Sequence, residues 1–168
     1  VDFYPARMLA GACDNDLKEV VRYAKGFSHD VGWWNISSVM TIAMMFCHAY
    51  YFHPDLGALR ISCVTTMKYM FSYAKAFNQD IGGWDVSSVT TIGRMFYHAY
   101  DFNQDIGGWD VSKVTIMSSM FFRAQAFNQD IGGWDVSSVT TMYKMFRSAY
   151  AFNQDNGEHG LASFTDMV

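Results

Sequence analysis

Apolar and polar positions recur along this chain every 25 residues, and each period holds two different patterns. In the copy that begins at Phe77, the residues Phe77, Gln79 and Ile81 alternate with Asn78 and Asp80. That is the period of two that a short strand produces. Gly82-Gly83 then turns the chain, and Trp84 and Val86 carry apolar weight across the corner. Beyond the corner Val89, Ile92, Phe96 and Ala99 fall at helical spacing, with Met95 beside Phe96. Ser87, Ser88 and Thr90 stand where helix N-caps would be needed. The pattern predicts a coil of strand, glycine corner, short helix and return.

The segment FNQDIGGWDVSSVT begins at Phe77 and again at Phe127, and a near-copy with Lys113 in place of serine begins at Phe102. The same step reaches diverged copies at Phe27 and Phe52, and a last start at Phe152. We therefore expect one domain in three parts. Residues 1–26 form an N-terminal segment and a half-repeat helical cap, with Leu17, Val20, Val21 and Ala24 as its apolar face. Residues 27–155 form a solenoid of five 25-residue repeats, and residues 156–168 a degenerate C-terminal cap. Terminal half-repeats are how such arrays end. Strands pack about 4.8 Å apart and helices about 10 Å apart, so an α/β stack of this kind must curve with its strands on the concave side. Equivalent rings should stack as ladders: Phe77, Phe102 and Phe127, and Trp84, Trp109 and Trp134.

The string FNQDIGGWDVSSVTTM, followed by Met-Phe and Ala, resembles the bacterial surface protein repeat (BspA-like) of mycoplasma and Listeria lipoproteins, also common in marine microalgae. The match runs from Phe27 to about Asp155. The resemblance implies a leucine-rich-repeat-like solenoid at the cell surface or outside the cell, with no catalytic residues to carry over. Two departures stand out. Phe occupies the place where many members have Leu, and the copy at Phe52 reads Gly57-Ala58-Leu59-Arg60 in place of GGWD.

Composition narrows the function further. A chain of 168 residues with 51% hydrophobic and 17% charged residues is not a disordered tail. Its net charge of −4 argues against nucleic acid as the partner. The longest nearly apolar stretch, Val39 to Phe52, is shorter than the roughly 20 residues a membrane-spanning helix needs. Cys13, Cys47 and Cys63 follow neither a disulfide framework nor a zinc spacing.

Several columns invite chemistry. Asp30, Asp55, Asp80, Asp105, Asp130 and Asp155 share one repeat position, and Asp85, Asp110 and Asp135 another. Calcium between coils is one reading; hydrogen bonds from turn N–H groups are the favoured one. The pairs Thr65-Thr66, Thr90-Thr91 and Thr140-Thr141 suggest ice binding, but Ile116 breaks that column and capping of the helices is preferred. His48 and His98 share a position two coils apart, and His29 and His53 lie near Asp30 and Asp55 as a conceivable metal site. No nucleophile with a partner and no phosphate loop stands out. We expect no enzyme and no cofactor. Lys and Arg gather on the predicted helical segments and Asp on the strand and corner segments, so one face is basic and the other acidic.

These readings converge on a non-enzymatic interaction or scaffolding module that binds a protein partner. The expected face is the helical side of the N-terminal coils, where a helix over about Ser38 to Tyr50 would be apolar nearly all round. Met44, Cys47 and Tyr51 would stand on its solvent side, extended by Tyr69, Tyr73 and Tyr97. The competing explanation is that Val1–Gly11 folds back over this patch. The alternative role is an accessory subunit of a larger assembly, such as an algal organellar membrane complex. That setting requires a targeting leader removed upstream of Val1. A metal-dependent enzyme and an ice-binding protein rank below both.

Overall fold

Two sets of backbone hydrogen bonds, one closing turns within a copy and one joining successive copies, build the architecture. The computed structural model describes Val31, Trp34, residues 36–51 and residues 55–154. The two expected caps, residues 1–26 and 156–168, lie outside these residues. In the copy at Phe77, i→i−3 bonds close turns from Trp84 to Ile81, Val89 to Val86, Met95 to Ile92, Ala99 to Phe96 and Phe102 to Ala99. Between these turns, alternate N–H groups point along the stack. Those of Ile92, Arg94, Phe96 and His98 donate to the carbonyls of Ile116, Ser118, Met120 and Phe122, at 2.8–3.1 Å. The same four-bond rung recurs from Ile42, Met44, Phe46 and His48 and from their equivalents in later copies. Each copy therefore lies directly on the next in parallel.

This corrects the predicted strand-plus-helix coil. Among the described residues there is no helix. Extended pairing is limited to isolated parallel bridges along one column, Thr41 to Thr66, Thr91, Ile116 and Thr141. The α/β solenoid, its leucine-rich-repeat likeness and its concave strand side are not what the described residues form. The helical reading failed because a run of four-residue turns also buries a residue every three or four positions. Arg94 and His98 break any helix: their φ angles are 57° and 58°, in the left-handed region, and the equivalent pairs in other copies repeat this. Each follows the first central residue of a turn, where a type II turn requires positive φ. None of these ten residues is glycine. A non-glycine in this region costs of order 1 kcal/mol, and the rung bonds donated by its own N–H, as at Arg94 and His98, hold it there.

The expected strand at residues 77–81 is replaced by a side-chain ladder. Asn78 Oδ1 accepts the Asn103 N–H at 2.9 Å, and Gln104 Nε2 donates to both the carbonyl and Oδ1 of Asn78. Asn103 and Asn128 serve the next copies in the same way. Amide side chains here do the joining that backbone carbonyls do in a sheet. The caps predicted for helices have other work. Ser87 and Ser112 donate from Oγ to Asp85 and Asp110 at 2.6 Å. Thr65, Thr90, Thr115 and Thr140 donate to the carbonyl one copy earlier.

The core is a pair of phenylalanine columns. Phe71, Phe96, Phe121 and Phe146 stack 5.4–5.8 Å apart. Phe77, Phe102, Phe127 and Phe152 stack 5.8–5.9 Å apart. The columns meet at 3.8 Å, as between Phe96 and Phe102. Trp84, Trp109 and Trp134 are buried beside them, with Trp109 and Trp134 6.5 Å apart and parallel. Each indole also donates to a carbonyl of the preceding copy: Trp84 to Leu56, Trp109 to Ile81 and Trp134 to Ile106. The Phe ladders advance by 5.4–5.9 Å and the Trp109–Trp134 step is 6.5 Å; with no helix among the described residues, helix-against-strand spacing no longer demands curvature.

Candidate functional site

Two walls enclose this core. Phe71 and Trp84 stack in it at 6.2 Å, and the exposed side chains that flank them fall into two sets. The wall outside Trp84 carries the aspartates. Asp55, Asp80, Asp105 and Asp130 are exposed, and each Oδ1 accepts the N–H two residues on, at 2.8–2.9 Å. Asp85, Asp110 and Asp135 accept the N–H of Ser87, Ser112 and Ser137. Hydrogen bonds from those serines hold the three carboxyls below the usual aspartate range. The carboxylates thus serve the turns, as the favoured reading had it. Among the described residues no group of three potential metal ligands comes together.

The wall outside Phe71 carries rings and cations. The Arg94 guanidinium lies 5.3 Å from the Tyr69 ring and 5.8 Å from the Tyr97 ring, and donates to the Tyr69 hydroxyl. Tyr97 meets Tyr73 edge-on at 5.4 Å and stacks on Phe122 at 4.8 Å. Tyr73 is itself sandwiched between His48 at 4.5 Å and His98 at 4.7 Å. Burial, with Tyr97 beside it, raises the Tyr73 phenol above its ordinary value. Burial, with Arg123 and Lys75 nearby, lowers His98 below the usual imidazole range. Lys75 lies between the Tyr50 and Tyr100 rings, at 5.3 and 5.4 Å. An open groove of about 420 Å³ runs beside it, lined by Tyr50, Tyr51, Lys75, Ala76, Tyr100 and Asp101.

Of the six residues expected on this face, the structure gathers three closely. Tyr69, Tyr73 and Tyr97 form one half-buried cluster. Met44 is half-buried one copy before Tyr69, and Tyr51, 68% exposed, lines the Tyr50–Lys75 groove. Cys47 is buried, at 4% exposed. A helical wheel put it outside; the turns put it inside. Sequence reasoning missed Arg94 as a member of the cluster. The signal was present, since Arg94 shares a column with Tyr69 and lies three residues before Tyr97. The segment Val1–Gly11, offered as a cover for this patch, lies outside the described residues.

The fold and its two walls define a repeat protein whose copies stack in register and expose a ring-and-cation surface and a separate carboxylate surface. The chain belongs to the family described as "Mycoplasma protein of unknown function, DUF285", whose model matches residues 15–123 and again 80–168. No curated protein and no solved structure matches it. Among the described residues no helix is long and apolar enough to cross a membrane.

Proposed function

We propose that this chain is a non-enzymatic interaction module of a surface-type repeat protein, holding a protein partner on the wall of Tyr69, Tyr73, Arg94 and Tyr97. The observation that carries the reading is the cluster itself. Three tyrosines are fixed against one another and against a guanidinium while keeping part of their surface in solvent. Tyrosine and arginine are the residues that interface cores favour. Rings already held in place lose little conformational freedom on binding. A surface or extracellular setting is what the repeat's resemblance to lipoprotein repeats supports.

Lysine-directed cross-linking of the native source, read by mass spectrometry, tests this. Lys68, Lys75 and Lys144 lie on the ring wall, whereas Lys113 lies beside Asp110 on the other. Links to a partner are expected through the first three. A partner reached through Lys113, with Lys68, Lys75 and Lys144 free of links, would overturn the assignment.

A further inference from the structure

The ring wall has a complement within this same chain. We propose that a second copy docks its carboxylate wall on the ring-and-cation wall, so that copies associate side by side in an open row. The inference rests on the reading of the Tyr69–Arg94–Tyr97 wall as a binding face and names its partner.

Charge is the first argument. Lys68, Lys75, Arg94, Arg123 and Arg147 are exposed on one wall against Asp101, and Asp80, Asp85, Asp105, Asp110, Asp130 and Asp135 on the other against Arg60 and Lys113, so each wall keeps an excess of one sign. Exposed ion pairs are individually weak, so a match must repeat to count. Pitch supplies that repetition. Equivalent rings in successive copies lie 5.4–5.9 Å apart. Two chains lying parallel share this step by construction, and each coil from the copy at Phe52 to the copy at Phe127 carries at least one of these cations, at differing positions within the coil. An unrelated partner would need its own repeat at that spacing.

The shape of the acidic wall supports the same conclusion. Between its two aspartate columns run Gly83, Gly108 and Gly133, all exposed, and a Cβ on any of them would meet nothing within 4 Å. Neither packing nor a left-handed φ requires glycine there, and glycine costs folding entropy. The strip leaves a bare floor between two carboxylate rows, onto which tyrosine and arginine side chains of another copy can lie. The carboxylates are already oriented, since the turn bonds hold each through Oδ1. Different walls meeting make a heterologous contact, which generates rows rather than closed pairs.

The test is sedimentation analysis of the full chain below about 0.1 M salt, where screening is weak, and again near 1 M, where the Debye length falls to about 3 Å. Two neutralised variants accompany the wild type. One carries Lys68→Gln, Lys75→Gln and Arg94→Gln; the other carries Asp80→Asn, Asp105→Asn and Asp130→Asn, which keep the Oδ1 acceptor of each turn. Wild type should grow beyond a dimer at low salt, and its association should weaken at least about tenfold at high salt. Each variant alone should stay monomeric, and an equal mixture should stop at a dimer, because only one intact pair of walls remains. The mixture also shows that both variants are folded. A wild type that stays monomeric at low salt, or variants that associate as wild type does, overturns the proposal. If the wild type is monomeric while native cross-links still run through Lys68 and Lys75 to a different protein, this inference falls and the binding face stands. If neither is seen, both fall.

Discussion

Two adjacent glycines should respond oppositely to the same substitution. A Cβ built on Gly107 would sit 2.6 Å from the backbone carbonyl oxygen of Asp130 in the next copy, and one on Gly108 would meet nothing within 4 Å. Ordinary contact begins near 3.4 Å, so Gly107→Ala requires the two coils to part by roughly 0.8 Å at that point. The oxygen cannot swing aside like the end of a flexible side chain, because it belongs to a pinned segment. Asn128 N–H is bonded to Asn103 Oδ1 at 2.9 Å, and Trp134 Nε1 to the Ile106 carbonyl at 3.1 Å.

Forcing an extra carbon into a packed contact costs about 1–3 kcal/mol. The backbone obstruction places Gly107→Ala in the upper part of that range. Gly108→Ala meets no obstruction and restricts the unfolded chain, which stabilises by about 0.4–1 kcal/mol. For a chain of this size a kilocalorie shifts Tm by about 2–4 °C. Tryptophan fluorescence during thermal and urea unfolding measures both variants against wild type. Gly107→Ala should melt several degrees lower and Gly108→Ala slightly higher. If the two move the same way by similar amounts, the close stacking of coils at the glycine corner is wrong.

Three further outcomes follow from the core, the histidine stack and the aspartates. Trp109→Ala removes a buried indole stacked on Trp134 and its hydrogen bond to the Ile81 carbonyl, which keeps only the Trp84 N–H, and should cost about 3–5 kcal/mol in urea unfolding; an unchanged midpoint would mean the indole is not packed there. The folded state lowers the His98 pKa through burial, with Arg123 and Lys75 adding to it, so the unfolded chain binds the proton more readily. Stability should therefore fall as pH drops below the ordinary imidazole value of about 6.5 and level off beneath the folded value. Melts at about pH 7.5 and 5.5 should show this loss in wild type and a smaller one in His98→Asn, which keeps a residue tolerant of left-handed φ; equal losses would refute the assignment. EDTA should leave Tm unchanged, because a turn N–H holds Oδ1 of each aspartate and no group of three potential metal ligands comes together among the described residues; a calcium-dependent rise of several degrees would reverse that reading.

How much of this was legible in the chain depended on which physical requirement left a mark on residue type. A parallel stack sets equivalent residues on top of one another. Columns such as Phe77, Phe102 and Phe127, or Trp84, Trp109 and Trp134, therefore announced both the period and the core. Local conformation left no such mark. The left-handed positions hold Met, His, Tyr, Arg, Ser and Lys, so the usual glycine signal of a turn is missing where it would have contradicted a helix. Buried residues at 89, 92, 96 and 99 satisfy either description. The Asn and Gln string was read as the alternating faces of a short strand, although its strict repetition fits amides that join one copy to the next.

That contrast between repeated and varied columns bears on where specificity resides. Asn103 accepts from both Asn128 and Gln129, so an exchange there unsettles the junction between two copies. Phe, Trp and the corner aspartates are held to one identity by similar demands. The outer positions of the ring wall face no such demand. One column reads Met44, Tyr69, Arg94, Ser119 and Lys144, and another Cys47, Ser72, Tyr97, Phe122 and Arg147, of which Cys47, Ser72 and Ser119 are buried and the rest reach solvent. Their backbone N–H groups at 44, 69, 94 and 119 make the rung bonds whatever side chain is attached. The stack thus fixes where each wall residue stands and leaves its chemistry open. If this wall is the binding face proposed above, recognition comes from the order of side chains down a column, and exchanging Tyr69 with Lys144 should alter binding far more than the unfolding midpoint.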